Sequence, residues 1–255
     1  VAVGSCPAYP RPVQPSRHLE LLAARADALI RAAAGAMRAP VPSCPGWTEA
    51  DLVAHMGAVW AWAADVVRTR RQADRTAPPA QETDDAMCDW ARRGAERLVA
   101  SLGAADPDED CWTFGPPRSV RFWFRRQALE TTLHAWDAQA ATGAPERIDA
   151  DVAADGVDEH LFVVVPRSVR AHPGAWSGET VHLHCTDAEG EWTVRLGPDG
   201  TVETQRTHSK AELALRGGAE SLWLWCANRA TAASLGIECF GSAELAERWQ
   251  REMRF

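Results

Sequence analysis

The sequence predicts a fold in two parts, α followed by α+β. A four-helix bundle is expected over residues 1–147 and a small α+β domain over residues 148–255. Three observations carry this. Four long segments of the first half repeat their apolar residues at helical spacing, separated by polar or proline- and glycine-rich connectors, as in a helix bundle. Beyond residue 145 the period changes to strand-like alternation in TVHLHC and EWTVRL, with helical stretches around it. The chain has 255 residues, 46% of them hydrophobic, which suffices to bury a core without staples.

Each element follows from local signals. The first helix is expected from a Ser16 cap through HLELLAARADALIRAAAGAM, where Leu19, Leu22, Ala26, Leu29 and Ile30 recur at helical spacing. APVPSCPGW is a stiff connector through Pro40, Pro42, Pro45 and Gly46. Thr48 with Asp51 three residues on resembles a capping box, with Asp for the usual Glu, and opens the helix DLVAHMGAVWAWAADVVR. RTRRQADRTAPPAQE breaks that helix, and a third is expected from Asp84 to Leu102. AADPDEDCWTFGPPRS is a loop. Ser119 then caps VRFWFRRQALETTLHAWDAQAA, which Gly143 and Pro145 stop. In the second half VDEHLFVVV reads as a short helix or a buried segment. TVHLHC, EWTVRL and TVETQ read as strands, with turns at DAEGE and GPDG. LALRGG leads into a helix, AESLWLWCANRATAAS, and Ser242 caps a last helix, AELAERWQREM.

Composition narrows the function classes. A net charge of -8 argues against a general nucleic-acid binder, because phosphate backbones demand a basic face. No apolar run reaches the roughly 20 residues of a membrane span. The opening VAVGSCPAYPRPVQPS has neither a basic n-region nor an apolar core, so no signal peptide is expected and the location is read as cytoplasmic. Cys6, Cys44, Cys88, Cys111, Cys185, Cys226 and Cys239 form no CxxC pair and are read as reduced thiols. Lys210 is the one lysine among many arginines, a bias of GC-rich, for example actinobacterial, genomes. The 12 tryptophans are read as packing residues.

The chemistry concentrates on the fourth helix. Glu130 and His134 are four residues apart, on one face, where a carboxylate and an imidazole can share a metal ion. Trp123, Arg126 and Asp137 continue that stripe, which lies among the bulky apolar residues Phe122, Phe124 and Trp136. Buried carboxylates and imidazoles need partners, and one metal satisfies two at once; the bland alternative is a solvated face with an Arg126–Glu130 ion pair. His55, in the apolar setting of the second helix, is a core histidine or a third ligand. Two histidines and one glutamate suit Zn²⁺ with an open position, although Ni²⁺, Fe²⁺ or Mn²⁺ share these ligand types.

PGWTEADLVAHMGAVWAW followed by FWFRRQALETTLHAWDAQAATG resembles the mycothiol-dependent maleylpyruvate isomerase family, and the resemblance continues through VDEHLF and LRGGAESLWLWCANR. It implies a DinB-like metal-binding four-helix bundle with a small C-terminal α+β domain, which looks like a sterol-carrier layer. It places the family's metal triad on His55, Glu130 and His134 and its substrate-holding arginine on Arg229. It implies zinc and mycothiol as cofactors, with the metal presenting the mycothiol thiol to substrate. Leu129 stands where the family often has His, and Ala135 where a basic residue is common, so maleylpyruvate itself is not carried over.

The expected function is thus a zinc-dependent isomerase or S-transferase in which the metal activates a low-molecular-weight thiol toward a small, electrophilic, anionic substrate. Asp137 would orient a ligand or cofactor, Arg126 would neutralise Glu130 or bind a substrate carboxylate, and Arg229 would fix an anionic group. The alternatives are a metal-dependent hydrolase, cyclase or lyase without the thiol, and a non-catalytic ligand-binding protein of the same fold. The partners are small molecules, with no nucleic acid and no membrane, and the chain is expected as a monomer or homodimer. His182 and His184 share one side of a strand and are read as its solvent face, with a metal site as the minor reading. Cys226 and Cys239 are read as inert packing, and Cys44 as a poor nucleophile for want of a nearby base.

Overall fold

The computed structural model describes residues 13–75, 77–78, 80, 83–143, 145–172 and 174–253. They fall into two compact units, one from Val13 to Glu146 and one from Arg147 onward. Cys6 and most of the opening segment lie outside the described residues.

The first unit is helical: α1 (Pro15–Ala33), α2 (Glu49–Thr69), α3 (Asp84–Gly103) and α4 (Val120–Ala141). The α1 start departs from expectation. Gln14 is the cap and Pro15 the first helical residue, so Ser16 lies inside the helix. Proline's fixed φ and missing N–H are no handicap at that position. The helix also stops at Ala33, short of Met37, and Gly35 at φ +81° turns the chain. At α2 the Thr48–Asp51 capping box is present in both directions. Ser119 stands at the cap of α4 but makes no side-chain capping bond. The preceding loop does that job instead, with Glu109 O accepting from Val120 N and Pro107 O from Arg121 N.

α1 packs on α4 and α2 on α3. Glycines set the α2–α3 approach: a Cβ on Gly94 would lie 3.0 Å from the Gly57 carbonyl oxygen. The α2–α4 contact is tied by Trp60, whose indole N–H donates to Thr131 Oγ1 at 2.9 Å, both residues being buried. Trp62, Trp112, Phe114, Phe122 and Trp123 build an aromatic cluster of edge-to-face and stacked pairs.

The second unit begins with α5 (Ala150–Glu159), a π-helical turn (His160–Val164) and α6 (Val165–Ala171), so VDEHLFVVV is helical throughout. Among the described residues five strands follow: β1 (Glu179–Cys185), β2 (Glu191–Leu196), β3 (Val202–Gln205), β4 (Leu213–Gly217) and β5 (Glu238–Gly241). α7 (Ala219–Cys226) lies between β4 and β5, and α8 (Ala243–Glu252) ends the unit. The sheet order is β3-β2-β1-β4-β5, with β1 parallel to β4 and the other pairs antiparallel. Two strands exceed the sequence expectation. LALRG is a full strand rather than a lead-in, because Leu213 and Leu215 enter the core while their backbone pairs with β1. β5 completes that edge by pairing with β4. α7 stops at Cys226, well before the expected Ser234; Asn228 follows in the left-handed region, its amide donating to the carbonyls of Gln250 and Met253. The Ser242 cap of α8 is present.

Val181, Leu183 and Cys185 of β1 and Trp192, Val194 and Leu196 of β2 are buried on one sheet face. Trp192 donates to Asp158 of α5 from that face, and Gly156 leaves room for the Trp223 ring, which a Cβ would meet at 2.3 Å. None of the described cysteines is in a disulfide. Among the described residues no helix is long and apolar enough to cross a membrane.

Candidate metal centre

His55 projects from α2, two turns past its cap, while Glu130 and His134 project from one face of α4. Each offers a ligand atom, and the three atoms lie within 4.8 Å of one another. The two imidazoles meet edge to face, with ring centroids 5.4 Å apart, and Trp47 packs against His55 at 5.0 Å.

Electrostatics prepares these groups as ligands. Burial first, then the neighbouring His134, push His55 down to about 4, so its imidazole is neutral at physiological pH. Burial works to raise Glu130, but Arg126, His134 and His55 together outweigh it and hold the carboxyl below its ordinary value. Arg126 Nε donates to Glu130 Oε2 at 3.2 Å and Gln127 Nε2 to the same oxygen at 3.3 Å, and Oε1 takes neither bond. Asp137 is fully buried on α4, and its Oδ2 lies 2.9 Å from His134 Nδ1. That contact occupies Nδ1 and leaves Nε2 of His134 available to a ligand, the way carboxylates commonly orient metal-binding histidines.

The α1–α2 connector supplies Ser43, which the sequence pattern did not single out, and Cys44, which it read as a poor nucleophile for want of a nearby base. Ser43 Oγ donates to Asp137 Oδ1 at 2.6 Å, and the Cys44 thiol lies 3.9 Å from Oδ2. Cys44, His134 and Asp137 thus form a second group of possible ligands that shares His134 with the first. Glu49, the first residue of α2, is fully buried, and among the described residues neither carboxylate oxygen has a hydrogen-bond partner. Burial, and then the charge of Asp137, push it up to about 7. The sequence signal that could have placed Ser43 and Cys44 at the site is their position before Pro45-Gly46, in a connector stiff enough to hold side chains against a helix end.

Arg229 belongs to the other unit, just after α7, where its guanidinium donates to Ala227 O at 2.7 Å. His182 corrects the expectation of a solvent face: it is buried, with its ring 4.9 Å from His208 and its Nε2 3.0 Å from Glu191. His184 is half-exposed beside it. Cys226 is buried, and burial pushes its thiol far up, as packing residues require. Cys239 instead stands exposed on β5.

The donor set of two neutral imidazoles and one carboxylate, from two facing helices, fits a divalent ion of the zinc type. Three protein donors leave at least one coordination position for sulfur or oxygen, so the set also fits a thiol partner.

Comparison with known proteins adds the following. The mycothiol maleylpyruvate isomerase N-terminal domain matches residues 19–139, and the MDMPI C-terminal domain matches residues 151–248. A crystal structure of the mycothiol-dependent maleylpyruvate isomerase superposes with a TM-score of 0.61 at 15% identity, covering 91% of this chain and 95% of that one. A histidine-to-alanine mutant of that enzyme superposes with a TM-score of 0.62 at 13% identity and the same coverage. A comparison with curated proteins by sequence returned no match.

Proposed function

The chain belongs to the mycothiol maleylpyruvate isomerase family, and from that premise we propose that it is a zinc-dependent, mycothiol-using isomerase or S-transferase acting on a small anionic electrophile. The observation that carries the reading is the convergence of His55, Glu130 and His134 ligand atoms within 4.8 Å, backed by the buried Asp137 on His134. When bound there, the metal would supply a Lewis acid that keeps the cofactor sulfur ionised, and hence nucleophilic, at neutral pH.

The chain's own residues do the rest. His55 contributes a nitrogen that burial keeps deprotonated, so metal and proton do not compete near pH 7. Glu130 contributes the one negative charge of the triad, and Arg126 and Gln127 fix its orientation through Oε2. Asp137 positions the His134 ring and is itself held by Ser43. Trp47 packs against the His55 ring at 5.0 Å. Arg229, with a planar guanidinium suited to carboxylates, is the proposed contact for the anionic group of the substrate.

The test uses the full chain without a histidine tag. Zinc content is measured by elemental analysis, and mycothiol binding by calorimetry. Glu130→Ala is expected to lose one equivalent of zinc and to lose mycothiol binding. Undiminished zinc in Glu130→Ala refutes the triad, and equal thiol affinity with and without metal refutes the thiol role.

A further inference from the structure

A second convergence of ligand atoms lies in the unit from Arg147 onward. By the two-residue period of strands, His182 and His184 of β1 and Glu191 and Thr193 of β2 face away from the core side that holds Leu183 and Trp192. The register sets His184 opposite Glu191 and His182 opposite Thr193. After β3 the chain folds back over this face. Thr193 Oγ1 donates to Thr207 O at 3.0 Å, and the next residue, His208, brings its ring against His182.

Three ring nitrogens then meet a single oxygen. His182 Nε2, His184 Nδ1 and His208 Nδ1 lie 3.0, 3.1 and 2.5 Å from Glu191 Oε1. A carboxylate oxygen offers two lone pairs, so three imidazoles around one oxygen exceed its ordinary hydrogen-bonding capacity. The ligand atoms of His182, Glu191 and His208 lie within 4.8 Å of one another. Zn–N and Zn–O bonds of about 2.1 Å set tetrahedral ligand atoms roughly 3.4 Å apart, so the His182 and His208 nitrogens need to draw back from Glu191 Oε1 by less than about 1 Å, which side-chain rotation can supply. Arg216 of β4, level with His184, is paired with Glu238 at 3.0 Å and so partly neutralised toward a cation here.

We propose that His182, Glu191 and His208 bind a divalent ion of the zinc type, with His184 as the adjoining imidazole, and that the ion clamps the β3–β4 connection onto the sheet. This site is separate in sequence and ligands from the bundle triad and does not depend on it.

The experiment titrates Zn²⁺, and Co²⁺ as a spectroscopic probe, into metal-stripped, untagged full-length protein in which His55→Ala has removed the triad. Glu130→Gln serves as the same background if His55→Ala does not fold. One equivalent of Zn²⁺ and a Co²⁺ d–d absorption band are expected to remain. Adding His208→Ala, which alters a mostly exposed residue, or Glu191→Gln is expected to abolish both, with the far-ultraviolet circular dichroism unchanged. Equal uptake with and without His208→Ala overturns the proposal, as does the absence of any uptake in both backgrounds.

Discussion

Replacing Glu49 by glutamine should reshape the pH dependence of stability. Glu49 is fully buried, neither oxygen has a partner among the described residues, and burial pushes its carboxyl up to about 7 from an ordinary 4.5. Because the folded value is the higher one, the folded chain keeps a proton that the unfolded chain has lost. The resulting stability is fully present below pH 4.5 and is lost as the pH rises through 7. Integrating the linkage from pH 5 to pH 8.5 gives a loss of about 2.5 kcal/mol from this one group. Glu49→Gln cannot titrate. Its amide is buried at both pH values, so that cost cancels when the two conditions are compared. Urea unfolding of metal-stripped wild type and Glu49→Gln, followed at both pH values, should show the variant gaining about 2.5 kcal/mol relative to wild type on going to pH 8.5. A difference between the two proteins that does not change with pH would refute the assignment of Glu49 as a buried, raised carboxyl.

Two further outcomes are expected. Asp137→Asn removes the charge behind His134, and zinc affinity at the bundle triad should fall about 10- to 100-fold by chelator competition, measured in a His208→Ala background so that only the triad is counted. Gly156→Ala places a methyl 2.3 Å from the buried Trp223 ring and should cost about 1–3 kcal/mol in urea unfolding, whereas Gly35→Ala meets open space and should show only the strain of its positive φ.

The helices of the first unit were legible because each carries its own signals. The apolar repeat of α2, the Thr48–Asp51 box at its start and the Gly143 stop of α4 are local chemistry. Glu130 and His134 could be read as a pair for the same reason, being one turn apart on one helix. Ser16 misled because proline at the first helical position competes with a serine cap and starts the helix earlier. β5 escapes a reading of periodicity because its four residues are all exposed and it is held by pairing with β4, while β4 alternates Leu213 and Leu215 with Ala214 and Arg216 over too few residues to stand apart from a helix lead-in.

Sequence alone determined the order of the four bundle helices and of the first three strands, the helical stripe with Arg126, Glu130, His134 and Asp137, and the family resemblance that tied His55 to that stripe. Tertiary structure decided which polar groups lose their water. Asp137 is a structural carboxylate behind His134 because the Ser43–Cys44 connector folds against it. Glu49 became a proton-holding acid because helix packing buries it beside Asp137. His182, on a strand face that alternation alone marks as exposed, is buried because the segment after β3 lies across it. Periodicity reports which side of an element a residue is on; desolvation depends on what chain, distant in sequence, covers that side.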